Sequence, residues 1–157
     1  MAENKPKDLK MVAENRKARH DYEIMDRMEA GLVLLGTEVK SARQGRVNLK
    51  DSYVSTRGGE LFLVQCHISP YTHSSFDNHD PHRERKLLMH KQEMRRLIGK
   101  ITERGLTLIP LRVYFRKGLL KVELGLAKGR KSHDRRAVVR EREQKRDVEA
   151  QLKERNR

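Results

Sequence analysis

The chain has 157 residues and carries 36 Lys+Arg against 22 Asp+Glu, a formal net charge of +14. That length suits one domain with extensions and is too short for a large α/β enzyme or a TIM barrel. With 37% charged and 36% apolar residues, either the core is small or part of the chain has none. No strictly apolar run exceeds four residues, as in Leu32-Val33-Leu34-Leu35, too short for a membrane span, and residues 1–20 lack the apolar stretch of a secretory signal. Cys66 is the only cysteine, which excludes an internal disulfide framework and a cysteine-based zinc finger and fits a reducing cytosol.

Residues 1–20 carry +3, residues 21–127 carry +5 and residues 128–157 carry +6. All seven aromatic residues fall in the middle section, so the ends bury too little apolar surface to offset their ordering entropy. The expected organisation is a basic N-terminal arm (1–20), a folded body (21–127) and a basic tail (128–157).

Within the body, Tyr22–Met25 and Thr37–Ser41 are short strand candidates, and Glu29–Leu35 is a short helix candidate weakened by about 1 kcal/mol at Gly31. Ser52–Thr56 and Leu61–Gln65 flank Gly58-Gly59, which supplies the positive φ of a hairpin turn. Asp80-Pro81 resembles a helix start and Gly105 a helix stop. Between them Leu87, Met94, Leu97, Ile98 and Ile101 recur at helical spacing. A second hairpin runs from Thr107 to Phe115, turns near Arg116-Lys117-Gly118, and returns with Leu120, Val122, Leu124 and Leu126 on one face. Pro110 has no N–H for a ladder bond and implies a bulge or an edge. The pattern predicts a mainly β fold, a small closed or nearly closed barrel with flanking helices, although a split β-α-β sandwich would read similarly.

In the tail, Glu141–Lys145 and Glu149–Lys153 are favourable i,i+4 pairs and Val148–Leu152 is an apolar one, while Arg142–Arg146 opposes them. Pair terms of about 0.2–0.5 kcal/mol do not hold such a segment alone. The tail is therefore expected to be mostly disordered when free and helical when laid against RNA.

No catalytic motif stands out. Gly125 to Ser132 superficially resembles a phosphate loop, but only three residues separate Gly125 from Gly129 and Arg130 intervenes before Lys131-Ser132; a true loop has four and none. His79 and His82, with Cys66 and His67, lack the further convergent ligands that zinc requires, and neutral loop histidines explain them better. Cys66 and His67 would point to opposite faces of a strand, which excludes a nucleophile–base dyad there. The carboxylates are scattered, with no paired acid/base site. No metal, cofactor or enzymatic activity is expected.

Positive charge spread over a small β body and two arms is what phosphate backbones attract. Two clusters carry the reading. Asn15-Arg16-Lys17-Ala18-Arg19-His20 stands directly before the first strand, and Lys128-Gly129-Arg130-Lys131-Ser132-His133-Asp134-Arg135-Arg136 directly after the last. If the two ends of the body emerge on one side, both clusters extend from a shared surface.

Five blocks, in order, are similar to the SsrA-binding protein (small protein B) family, the partners of transfer-messenger RNA. They are NRKARHDY (15–22), EAGLVLLGTEVKSAR (29–43), NLKDSYV (48–54), RKLLMHK (85–91) and GLAKGRKSHDRR (125–136). The resemblance implies an oligonucleotide-binding-fold-like barrel with accessory helices, in a non-enzymatic, cytoplasmic, monomeric adaptor. Such an adaptor holds the tRNA-like part of transfer-messenger RNA, brings it to the empty A site of stalled ribosomes and places its tail in the vacant mRNA channel. Carried over by motif, Glu29, Leu88, His90 and Lys121 are expected on the RNA-binding face, with Asn15, Lys17, Arg19 and His20 near RNA. Lys128, Gly129, Lys131, His133, Asp134, Arg135 and Arg136 match the stretch placed at the decoding centre. Arg135 stands where a lysine is common, so a guanidinium fork replaces a point-like ammonium, and Met89 stands where leucine is frequent. The alternatives are a structural ribosomal or general RNA-binding protein with a basic extension, and an RNA-processing enzyme with an unrecognised site.

Overall fold

The computed structural model describes residues 9–74, 77–129 and 132–156. In chain order it has β1 (Leu9–Glu14), α1 (Arg16–Asp21), β2 (Tyr22–Leu32), α2 (Gly36–Arg43), β3 (Val47–Asn48), β4 (Tyr53–Arg57), β5 (Glu60–Val64), β6 (His67–Ile68), β7 (Arg85–Leu88), α3 (Lys91–Arg104), β8 (Thr107–Arg116), β9 (Leu119–Gly129) and α4 (Ser132–Arg155). Seven strands form one antiparallel sheet in the order β1-β8-β9-β2-β7-β5-β4, and β3 pairs with β6 separately. The sheet curls until β4 lies beside β8 without pairing to it. The mainly β architecture thus follows the sequence reading, as a strongly curled sheet and not a closed barrel.

Both expected hairpins form with two-residue turns. Gly58 and Gly59 have φ of +57° and +75°, and Lys117 and Gly118 +50° and +76°, the two consecutive positive values of the turn that matches strand twist. Along β9, Leu120, Val122, Leu124 and Leu126 are buried and close the main core with Leu61, Leu63, Leu87 and Leu108. Pro110 lies beside a bulge, not on an edge: the β8–β9 register slips by one residue between Pro110 and Arg112. Asn15 takes both neighbouring carbonyls, its backbone N–H donating to Leu111 at 2.8 Å and its side-chain amide to Pro110 at 3.0 Å.

Several elements differ from their sequence expectation. Glu29–Leu35 is not a helix; through Leu32 it continues β2, because eleven residues of pairing opportunity with β9 and β7 outweigh a weak local preference. Thr37–Ser41 is not a strand but the middle of α2, whose buried positions Glu38, Ser41 and Ala42 fall at helical spacing while being mostly polar. The Asp80–Gly105 segment is shorter as a helix than expected. Asp80-Pro81 starts a turn, in which the Asp80 side chain accepts from His82 N–H at 2.9 Å and its carbonyl from Arg83 N–H at 3.1 Å. Arg85 and Leu87 are then buried alternately with Lys86 and Leu88, a strand period, and α3 begins only after His90. Gly105 ends it in the left-handed region, φ +61°. Residues 9–14 of the expected N-terminal arm belong to the folded body as β1.

Candidate nucleic-acid interface

β2, β7 and β9 meet where Gly31 pairs with both Leu88 and Lys121. At this junction Glu29, Leu88, His90 and Lys121 line one open concavity of about 480 Å³, together with Met89 and Glu93. Residues 29, 88, 90 and 121, scattered along the sequence, are therefore brought together. A Cβ added at Gly31 would meet the Leu88 Cβ at 3.4 Å, an ordinary packing distance. Leu88 is 51% exposed, an apolar side chain presented to solvent at the rim of a charged hollow.

The carboxylate of Glu29 is held from below. One oxygen, Oε2, accepts from the Tyr114 hydroxyl at 2.5 Å and from Arg116 Nη1 at 3.3 Å. Burial, and then the Glu29 hydrogen bond and charge, push the Tyr114 phenol far above its ordinary range, so it remains a donor at any physiological pH. One step along the sheet, Arg112 grips Glu123 Oε2 with Nε at 2.9 Å and Nη2 at 2.6 Å, and Arg27 Nη1 stands 3.5 Å from Oε1. These cations neutralise the acidic residues of the sheet face and leave Lys121 as a half-buried cation beside the Leu88 platform.

The N-terminal cluster sits about 23 Å away along β2, taking seven residues at about 3.3 Å each. Asn15 caps α1, its Oδ1 accepting from Ala18 N–H at 3.3 Å, and its amide nitrogen is the one bonded to Pro110; both polar atoms of that side chain serve the fold. Lys17 lies 3.5 Å from Asp51 and Arg19 3.6 Å from Glu14. The His20 ring nitrogen Nδ1 is 3.0 Å from Asp21 Oδ1. Between α1 and β4 lies a cleft of about 300 Å³ lined by Asn15, Lys17, Tyr22, Asp51, Tyr53 and Thr107. Tyr53 is 44% exposed there. Sequence reasoning counted Tyr22 and Tyr53 as strand residues; the only signal for an outward ring was the alternation of Tyr53 against the inward face of its strand.

The two termini of the body do emerge together. Tyr22 pairs with Gly129 and Glu23 with Lys128, which brings the α1 cluster and the start of the tail to one end of the sheet. There His20 shares an apolar hollow of about 300 Å³ with Arg136, Val139 and Arg140 of α4. Lys128 and Gly129 are exposed at the end of β9. Lys131 lies outside the described residues, as do the side chains of His133, Asp134 and Arg135, whose backbone forms the first turn of α4. Farther along, Val148 and Leu152 are 55% and 53% exposed.

A buried polar network went unread in the sequence. Glu38 is fully buried. Its Oε1 accepts from Leu35 N–H at 2.9 Å and from Arg83 Nη2 at 2.6 Å, and its Oε2 from Arg85 Nε. Arg85, equally buried, donates onward to the carbonyls of Cys66 and Pro81. Burial opposes ionisation of Glu38, but these donors together hold its carboxyl below the usual value. Burial also pushes the Cys66 thiol up to about 11. His79 is buried, bonded to Thr37 at 2.9 Å and to the Ile68 carbonyl at 2.8 Å. Among the described residues, no group of three or more His, Cys, Asp or Glu is placed to hold a metal.

Residues 12–154 match the family model described as SmpB protein. The chain belongs to the SmpB family. The SsrA-binding protein of Syntrophobacter fumaroxidans is 54% identical over 158 residues, covering 99% of this chain and 98% of its own. That of Clostridium perfringens is 54% identical over 153 residues, with 98% of each chain covered. A solved SmpB-like chain, described as "tmRNA-SmpB: a journey to the center of the bacterial ribosome", has 53% identity and a TM-score of 0.65 over 78% of this chain and 87% of its own. The expected resemblance and the SmpB membership agree. Among the described residues, no helix is long and apolar enough to cross a membrane.

Proposed function

We propose that this protein is a non-enzymatic RNA-binding adaptor of ribosome rescue. In this reading it binds the tRNA-like part of transfer-messenger RNA, delivers it to the vacant A site of a stalled ribosome in the cytoplasm, and lays its tail along the empty mRNA channel. The observation that carries the reading is the convergence of Glu29, Leu88, His90 and Lys121 on one concavity, in a chain whose relatives are named for binding SsrA.

The chemistry of that hollow suits folded RNA. Lys121 offers charge to a phosphate, the exposed Leu88 a surface for an unstacked base, and His90 a ring that stacks or donates. Glu29, its Oε2 engaged by Tyr114 and Arg116, offers its second oxygen to a base N–H or a ribose hydroxyl. A carboxylate in that place rewards a matched donor and repels bare phosphate, which favours a defined RNA shape over general backbone binding.

At the other end of β2, Lys17, Arg19 and His20 extend the contact, while Asn15 acts by capping α1. Lys128, Gly129, Lys131, His133, Asp134, Arg135 and Arg136 are assigned to the decoding centre. The tail, a helix over Ser132–Arg155 that is exposed along most of its described length, is laid against ribosomal RNA, and the protein acts as a monomer with no metal or cofactor. The test is a competition titration with transfer-messenger RNA and an elongator tRNA at fixed salt. Selective binding that drops at least tenfold in Leu88→Ala and Lys121→Ala supports the reading. Equal affinity for both RNAs assigns the protein to general RNA binding.

A further inference from the structure

The sequence of α3, KQEMRRLIGKITER, holds five cations and two carboxylates. Its core stripe is Met94, Leu97, Ile98 and Ile101. On one flank of that stripe, Arg96, Lys100 and Arg104 follow at i, i+4 and i+8, each about 6 Å further along the axis. All three are exposed. Glu93, one turn before Arg96 on the same flank, lines the concavity of Glu29, Leu88, His90 and Lys121.

Cations of the neighbouring sheet face are answered internally, Arg27 and Arg112 by Glu123 and Arg116 by Glu29. Among the described residues no carboxylate lies within ion-pairing distance of Arg96, Lys100 or Arg104, although Glu93 and Glu103 are on the same helix. Like charges at i,i+4 also destabilise a helix. The arrangement is a row of unanswered positive charge that begins at the rim of the RNA-binding hollow and runs away from it.

We infer that this flank of α3 is a second RNA-contacting surface, which follows the phosphate backbone of the same RNA that enters the concavity. It rests on the RNA-binding reading above and adds to it a sequence-independent track beside a shape-specific pocket. Phosphate contacts of this kind position an RNA and carry the salt dependence of binding, while the pocket supplies selectivity.

The experiment is a salt titration of full-length protein with purified transfer-messenger RNA, comparing wild type with the triple variant Arg96→Gln, Lys100→Gln, Arg104→Gln. Glutamine keeps the exposed helix and relieves its like-charge pairs, and circular dichroism checks the fold. Losing three phosphate contacts is expected to flatten the log–log salt slope by about 2–3 units, while the preference over elongator tRNA persists. In Leu88→Ala the opposite pattern is expected, with lost preference and an unchanged slope. An unchanged slope in the triple variant would overturn the inference, and so would an effect seen only on binding to ribosomes. If Leu88→Ala has no effect while the triple variant still flattens the slope, the α3 track stands and the pocket reading fails.

Discussion

On the proposed RNA-binding face the carboxylate of Glu29 is engaged by the Tyr114 hydroxyl at 2.5 Å and the Arg116 guanidinium at 3.3 Å, which in that reading keeps it from repelling phosphate. Tyr114→Phe removes the shorter of the two bonds and leaves the ring in place. We expect RNA affinity to fall about two- to tenfold, the equivalent of about 0.5–1.5 kcal/mol for one hydrogen bond, and filter binding reads this directly. A fall in melting temperature without loss of affinity would make Tyr114 a structural residue only. Cys66 gives a second residue-level expectation. Buried, with its thiol raised to about 11, it should resist a thiol reagent at pH 8 in the native protein and react at once in denaturant; rapid native labelling would contradict that burial. Glu29 and Lys121 were expected at an RNA-binding face only through family motifs. Tyr114 was not legible at all, because an aromatic in an alternating apolar strand reads as core.

Elements were read well where apolar residues marked them and poorly where polar residues were buried. The two hairpins, with Gly58-Gly59 and Lys117-Gly118, were evident from alternation and turn chemistry. α2 was not, since two of its three buried side chains are Glu38 and Ser41, and β7 was absorbed into the α3 stripe because Leu87 and Met94 are seven residues apart, a helical repeat. What fixes both elements is the Glu38–Arg83–Arg85 network, which ties α2 to β7 and so sets Leu88. Glu38→Gln leaves Arg85 buried without its charge partner and should cost about 3–5 kcal/mol, measured by urea unfolding at pH 7. The sign with pH follows from the lowered Glu38 carboxyl. Its stabilisation is present above the ordinary value of 4.5 and is lost as pH falls through the lower native value. The gap between wild type and Glu38→Gln should therefore narrow as pH falls below 4.5 and close below the lowered native value; a constant gap would mean that charge is not what the network uses.

At the scale of the whole molecule, net charge and aromatic distribution separated a body from its ends, and the structure moved the N-terminal limit of that body back to β1. Curling brings β4 beside β8 without pairing them, so the closed or nearly closed barrel that was expected is of the unclosed kind, a property of long-range pairing that local patterns do not carry. The pairing of Tyr22 with Gly129 joins the α1 cluster to the root of the tail, and the proposed function divides a molecule of +14 into an RNA-holding body and a tail that works elsewhere. Transfer-messenger RNA binding and peptide tagging on ribosomes stalled at the end of a truncated message, measured side by side for the full chain and for a chain ending at Gly129, test that division most directly. The account predicts RNA affinity within about threefold of the full chain, a difference under about 1 kcal/mol, and no tagging. Tagging by the shortened chain, or loss of RNA binding with the tail, would contradict it.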